Sequence, residues 1–199
     1  MKKINIGILG FGVVGAGVAK LLIEKNVLLT SRTGAVLNLK TIADIDTETD
    51  RGFDLGQTVL VDDAARVIED PDIDIIIETI GGETIAKTFI EKALANKKHV
   101  VTANKALLAS SGNDLVKLAR DNYVDLAFEA SCGGCMPIIK ALRETLVAND
   151  ILSMTAILNG TCNYILTKIS KDGSEFDVAL KDAQDLGFAE AEPSLDIDG

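Results

Sequence analysis

Gly10-x-Gly12-x-x-Gly15, within "GILGFGVVGAG", has the spacing of a dinucleotide-binding turn. Gly10 allows a tight turn, Gly12 lets a pyrophosphate approach the backbone, and Gly15 permits close packing of helix on strand. The helix that follows would aim its amino end at the anion. By itself the pattern equally describes a glycine-rich turn with no ligand; its place between an apolar run and a helical pattern is what favours binding. Further on, "TIADIDTETD" puts Asp44 at the end of a second strand. A carboxylate there can accept hydrogen bonds from the adenosine ribose and repel a 2′-phosphate. Asp44 lies further from Gly15 than the roughly 20 residues usual for that acid, so the first connection must be long. A solvated loop acid is the plainer alternative. No arginine immediately follows this strand, which leans the reading to NAD over NADP.

"VVTANKALLAS" places Asn104 and Lys105 just past the end of a fifth strand, the edge at which ligands sit in open α/β sheets. A lysine there can hold a cofactor phosphate, donate to a carbonyl, or simply face solvent. Cys132-Gly-Gly-Cys135 forms a C-x-x-C, the spacing of half a zinc site or of a redox pair. Without a matched second pair, small residues in tight loops are the simpler reading, and the same holds for Cys162. His99, the only histidine, stands at the entrance to a buried strand and reads as structural or surface.

These groups need a frame. Ile4–Leu9 reads as a strand, Val13 to about Lys25 as a helix, and Leu37–Ala43 as a second strand reached through the polar turn "TSRTG". Val59–Val61, Ile73–Glu78, His99–Thr102 and Val124–Phe128 read as further strands, with helices over Thr84–Asn96 and Asn113–Asp121. Strands alternating with helices at this rhythm indicate a parallel sheet covered on both faces, and near-continuous apolar strands such as "IDIIIET" agree. After Glu129 the texture changes. "ASCGGCMP" leads into a helix with Pro137 near its first turn; a strand over Ile151–Leu158 and helices over Thr161–Lys171 and Phe176–Leu186 follow. The expected division is 1–130 for a nucleotide-binding domain and 131–199 for the start of a second, α+β domain.

Composition sets the outer limits. A chain of 199 residues with 47% hydrophobic and 25% charged residues is that of an ordinary globular protein. A net charge of −10 argues against duplex DNA and anionic membranes as partners, since both call for a basic face. Backbone amides can still hold phosphates. The amino-terminal "MKKINIGILGFGVVGAGVAKLLIEK" is glycine-interrupted and regains charge at helical spacing, unlike a secretory leader. No stretch reaches the roughly 18 apolar residues of a membrane span. Three cysteines, an odd number, do not form a secreted disulfide framework. A cytoplasmic protein is expected.

Taken in order, the glycine turn, "ETIGG", "HVVTANKALLA", "EASCGGCMPIIKALRE", "ILNGTCNYIL" and "DAQDLGFAEAEPSLDIDG" resemble homoserine dehydrogenase from Ile6 to Gly199. The resemblance implies a Rossmann-type, doubly wound parallel sheet followed by an incomplete α+β substrate domain. It implies interconversion of L-homoserine and L-aspartate 4-semialdehyde with NAD or NADP, on the route to threonine and methionine. By it Phe11, Gly12, Val14, Thr79, Ala103 and Lys105 look like cofactor contacts, joined by Gly10, Gly15 and Asp44 from the motif and by Gly187 from the second domain. Glu190 looks like a ligand of the homoserine amine, with Asp196 beside it. Lys105, Glu190 and Asp196 form the expected catalytic set. Glu129, with backbone carbonyls matching Cys132, Gly134 and Met136, would hold a monovalent cation, Na⁺ or K⁺. The family's signature continues past Gly199 with an aspartate and then a lysine, the expected proton donor, and its later segments make a homodimer interface. The expectation is therefore a fragment that binds cofactor and turns over little. A naturally short, non-catalytic dinucleotide-binding sensor or partner subunit is the alternative. Two departures stand out: Glu192 where the family prefers aspartate, asparagine or serine, and Cys132, Cys135 and Cys162 where it usually has valine, glycine and threonine.

Overall fold

The computed structural model describes residues 1–189 and 193. Two compact units divide at 147/148, Met1–Val147 and Ala148–Gly199.

The first unit opens with strand β1 (Lys2–Leu9), helix α1 (Val13–Glu24), helix α2 (Asn26–Thr33) and strand β2 (Ala35–Ala43). It continues with β3 (Val59–Val61), α3 (Ala65–Ile68), β4 (Ile75–Glu78), α4 (Thr84–Ala95), β5 (His99–Thr102), α5 (Lys105–Asp121) and β6 (Leu126–Ala127). Its last turns are a 3-10 turn over Glu129–Ser131, helix α6 (Ile138–Lys140) and wider π-type turns over Ala141–Thr145. The six strands form one parallel sheet in the order β3-β2-β1-β4-β5-β6. The chain runs outward from β1 through β2 and β3, then crosses back to β4 on β1's other side. That reversal opens a crevice above the carboxyl ends of β1 and β4, the place where such sheets take ligands.

Apolar residues on both faces of the strands account for the layers. Ile6 and Ile8 of β1, with Leu39 and Ile42 of β2, pack against Ala19 and Leu22 of α1. On the other face Ile76 and Val100 meet Ile90 and Leu94 of α4 and Leu107 and Leu115 of α5. Fully burying side chains of this size contributes about 1.5–3 kcal/mol each.

Four stretches differ from the sequence reading. The "polar turn" before β2 is helix α2, which buries no residue. It carries no apolar stripe to betray it. Asn26 Nδ2 donates to the Leu37 carbonyl at 2.6 Å, and Gly34, at φ +72°, closes it by donating to the Thr30 carbonyl. Helix α5 starts at Lys105 rather than Asn113; Ser110-Ser111-Gly112 reads as a break, but buried Leu107 and the Asn104 cap carry the helix through it. Residues 151–158 form no strand. A strand needs a partner for its backbone groups, and the six-stranded sheet gives these residues none. The helix read after Pro137 is reduced to α6 and the wider turns.

In the second unit, α7 (Gly160–Asp172) and α8 (Phe176–Asp185) pack around Ile165, Ala179, Ala183 and Ala189. Tyr164 and Phe188 lie 5.1 Å apart by ring centroids, and Lys168 bridges Asp172 and Asp182 at 3.5 Å each. Among the described residues no helix is long and apolar enough to cross a membrane.

Candidate functional site

The glycine turn joins β1 to α1 at the crevice. Gly10 adopts φ +96°, and a Cβ there would lie 2.8 Å from the Thr79 carbonyl. A Cβ on Gly15 would fall on the Gly10 carbonyl oxygen. At Gly12 a Cβ would meet nothing within 4 Å. Fold therefore dictates glycine at positions 10 and 15, whereas at 12 the space is open. Thr79 Oγ1 ties the turn to the end of β4, donating to the carbonyls of Gly10 (2.9 Å) and Leu9 (3.2 Å). No side chain caps the start of α1 and no acid sits in its first turn, so that end suits an anion. Val14 is exposed on the same first turn.

Asp44 stands immediately after β2 with both oxygens engaged: one accepts the Phe11 amide, the other the Asp46 amide at 2.8 Å. A carboxylate has about four acceptor positions, so capacity remains for a ribose hydroxyl. The loop after Asp44 grips the glycine turn from the other side. Arg51 Nε donates to the Phe11 carbonyl at 2.8 Å, and the guanidinium lies 5.4 Å from the Phe11 ring centroid. Its Nη2 pairs with Asp46 at 3.1 Å, and Phe53 meets Phe11 edge-on at 6.2 Å. The sequence reading missed Arg51: it sits in an acidic loop with no periodicity, and only the fold returns it to Phe11.

Hydrogen bonds from Thr49, with a further one from Arg51, lower the Asp46 carboxyl from 3.8 to about 2. Because the folded group titrates below its ordinary value, these contacts contribute fully above 3.8 and are lost as pH falls toward about 2. The expected result is that the Glu48 and Thr49 amides, both donors to Asp46, lose protection over that window while the sheet remains folded. NMR titration of the Asp46 carboxyl carbon and the two amides checks this; an Asp46 midpoint at 3.8 contradicts it.

Gly10, Gly12, Asp44, Asp63, Thr79 and Ile85 help line a cleft of about 520 Å³. Acid collects at its β2 end, where Asp62 also contributes. Toward β5, Ala103 and Lys105 occupy the same carboxyl edge of the sheet without lining that cleft. Lys105 is the first residue of α5 and is exposed. Asn104, buried, caps the helix by accepting from the Leu107 amide at 3.1 Å. Glu78, the last residue of β4, is fully buried beside Thr102 and bonded to its hydroxyl. The "ETIGG" motif contains this glutamate, but the sequence reading assigned it no role.

Glu129 caps α6: Oε1 accepts from Ile139 N at 2.9 Å and Oε2 from Lys140 N at 2.8 Å. Residues 131–147 belong to the first compact unit. The Met136 carbonyl accepts from Ile138 N at 2.8 Å. Two of the four expected cation ligands thus already have partners within the chain. Cys132 and Cys135 are both free thiols, with Cys135 at φ +63°, and among the described residues no group of three or more His, Cys, Asp or Glu could hold a metal. Gly187, at φ +76°, follows α8 in the second unit. Glu190 and Asp196 lie outside the described residues. At the sheet's opposite edge, Lys98 is buried and donates to the carbonyls of Asp70 and Ile73; burial lowers its pKa. That lysine pins a turn far from the crevice.

Two family models match the chain: "Homoserine dehydrogenase, NAD binding domain" over residues 10–129, and "Homoserine dehydrogenase" over 137–199. A homoserine dehydrogenase of Bacillus subtilis is 45% identical over 199 residues, covering 100% of this chain and 46% of the relative. The crystal structure of a homoserine dehydrogenase from Thiobacillus denitrificans superposes with a TM-score of 0.89 at 42% identity, over 99% of this chain and 46% of that one. A hyperthermophilic archaeal homoserine dehydrogenase, solved in complex with NADPH, gives a TM-score of 0.79 at 30% identity, over 99% of this chain and 65% of that one. The chain spans under half the length of the curated relatives it matches.

Proposed function

The chain belongs to the homoserine dehydrogenase family, and from that membership we propose that it binds a nicotinamide dinucleotide at the β1/β4 crevice and serves the interconversion of L-homoserine and L-aspartate 4-semialdehyde. The observation that carries the reading is the glycine turn itself. Position 12 is open where position 15 admits no Cβ, and an uncapped helix start stands beside it. This is a fit to a pyrophosphate, which needs close backbone approach and unpaired amides.

The cofactor, when bound, supplies or accepts the hydride. This chain's own residues would do the rest. Asp44 would accept from the adenosine ribose, Thr79 would keep the turn in place, and Lys105 would donate to the substrate oxygen as negative charge develops there. Glu190 and Asp196 would take the substrate ammonium, whose binding aligns the reacting carbon. Gly187 is the proposed cofactor contact from the second unit. For a cation, Glu129 and the carbonyls of Cys132, Gly134 and Met136 are the proposed ligands, with the Glu129 carboxylate shared between the ion and the amides of α6. A cytoplasmic homodimer completes the proposal.

Isothermal titration calorimetry with NADH tests the first half on the 199-residue chain; no binding rejects it. For the second half, the chain is joined to the remaining sequence of the Bacillus subtilis relative, and homoserine-dependent NADH formation is followed by absorbance. A chimera that folds and binds NADH yet leaves homoserine untouched overturns the proposed reaction.

Cofactor preference follows from the acid end of the cleft. A 2′-phosphate would bring negative charge against Asp44, with Asp62 and Asp63 nearby, and like charges brought together oppose binding. NADH is expected to bind at least about tenfold more tightly than NADPH, and Asp44→Asn to narrow that ratio to within about threefold. The ratio is the proper readout, since asparagine keeps one acceptor oxygen and losing either the Phe11 or the Asp46 bond weakens both cofactors alike. Tighter NADPH binding in the wild type would reverse the assignment.

A further inference from the structure

Glu78 closes β4 with a side chain wholly removed from solvent, and the function proposed above gives it no part. Its partners are all donors. Oε1 takes the amides of Ile80 at 2.8 Å and Gly81 at 3.3 Å, and Oε2 takes the Thr102 hydroxyl at 2.6 Å. That hydroxyl accepts in turn from the Asn104 amide at 3.0 Å, so its single proton is committed to Glu78. From Asn104 the bonds branch: Oδ1 accepts from Leu107 N, and Nδ2 donates to the Gly82 carbonyl at 2.6 Å. The path leaves β4, crosses to β5, passes through the cap of α5, and returns to the loop from which it started.

A carboxylate is the side chain this arrangement demands. Glutamine would turn its NH2 either toward two N–H groups or toward a hydroxyl whose proton then has no acceptor, and a buried donor left unmet is costly. The placement matters because Glu78 pairs with Thr102 in register across the ladder, directly under the carboxyl edge. Above it lie the cleft residues Thr79 and Ile80 on one side and the first residue of α5, Lys105, on the other.

We infer that Glu78 is a positioning residue: its buried carboxylate ties the cleft loop Thr79–Gly82 and the Lys105-bearing start of α5 into one unit, so that the two are set together. The importance of the tie rests on the proposed roles of the cleft and of Lys105. The tie itself is a property of this chain alone.

Amide hydrogen exchange on the 199-residue chain, free and with NADH, tests it. Thr102→Val keeps the shape and removes the hydroxyl; Thr102→Ser keeps the hydroxyl. The valine variant is expected to speed exchange at Ile80, Gly81 and Leu107 together by about tenfold, leaving Ile76 unchanged, while the serine variant stays near wild type. With NADH, wild type should slow exchange at Leu107 as well as at Ile80 and Gly81, and the valine variant only at the latter two. Independent responses at the two ends, or a serine variant that behaves like valine, would overturn the inference. If NADH slows none of these amides the dinucleotide reading fails, and the free-chain comparison still decides the tie. Should the valine variant not fold, wild type under low denaturant serves: the three amides should share one opening free energy, and unequal values reject the link.

Discussion

Gly15→Ala is expected to lose both stability and NADH binding, Gly12→Ala only binding, and Gly17→Ala neither. The three glycines sit within six residues of sequence and differ in what a methyl group would meet. At Gly15 it lands on the Gly10 carbonyl oxygen, with Thr79 Oγ1 at 2.8 Å and the Gly10 carbonyl carbon at 3.0 Å. Neither carbonyl atom can move without breaking the turn, since the Gly10 amide is held by the Ala43 carbonyl at 2.8 Å. Helix α1 must therefore shift outward from β1. Overpacking of this kind costs about 1–3 kcal/mol, which in a protein of this size is a fall in Tm of roughly 2–12 °C. Displaced first-turn amides forfeit hydrogen bonds to a charged phosphate worth about 1.5–3 kcal/mol each, so NADH affinity should drop at least about a hundredfold if two are lost. At Gly12 and Gly17 a methyl meets nothing within 4 Å. Gly17 is inside the helix, where alanine is favoured by about 0.5–1 kcal/mol, whereas Gly12 faces the space a pyrophosphate would occupy. Thermal melts and NADH titrations on the three variants give the pattern. If Gly12→Ala binds as wild type does, the phosphate does not approach that turn.

Lys105→Ala, in the chimera that turns over homoserine, should lower kcat by about 10²–10³ and leave NADH affinity within about twofold. The lysine opens α5, so its positive charge stands at the positive end of the helix dipole, an arrangement disfavoured by about 0.3–1 kcal/mol. Stability does not explain a cation there. Under the proposed reaction a developing oxyanion would, and the Asn104 cap fixes the helix start from which the exposed side chain extends. Parallel loss of affinity and turnover would reassign Lys105 to a cofactor phosphate.

Much of this frame can be read from residue types. Apolar runs locate all six strands because each is covered on at least one face. The glycine spacing marks the crevice because the constraint is local. The place of Asp44 just after β2 is also legible, and its distance from Gly15 has a physical cause: helix α2 fills the extra length between α1 and β2. Helix α2 itself is hidden, since none of its residues is fully buried and Leu29 alone of its apolar residues packs on the core. Glu78 is hidden for another reason. Its partner Thr102 lies 24 residues away in sequence, and only strand register brings it to the glutamate. Arg51 is 40 positions from the Phe11 carbonyl it holds. Local pattern carries no trace of either bond.

Helix α1 begins at Gly12 without a capping side chain, which forgoes about a few tenths of a kcal/mol against a serine or aspartate cap and leaves its first amides unpartnered. A bound dinucleotide would supply what the sequence leaves out. By mass action, free ligand at a hundredfold above its Kd adds about 2.7 kcal/mol to the folded state. The concentration of free dinucleotide would then set part of the chain's resistance to proteolysis.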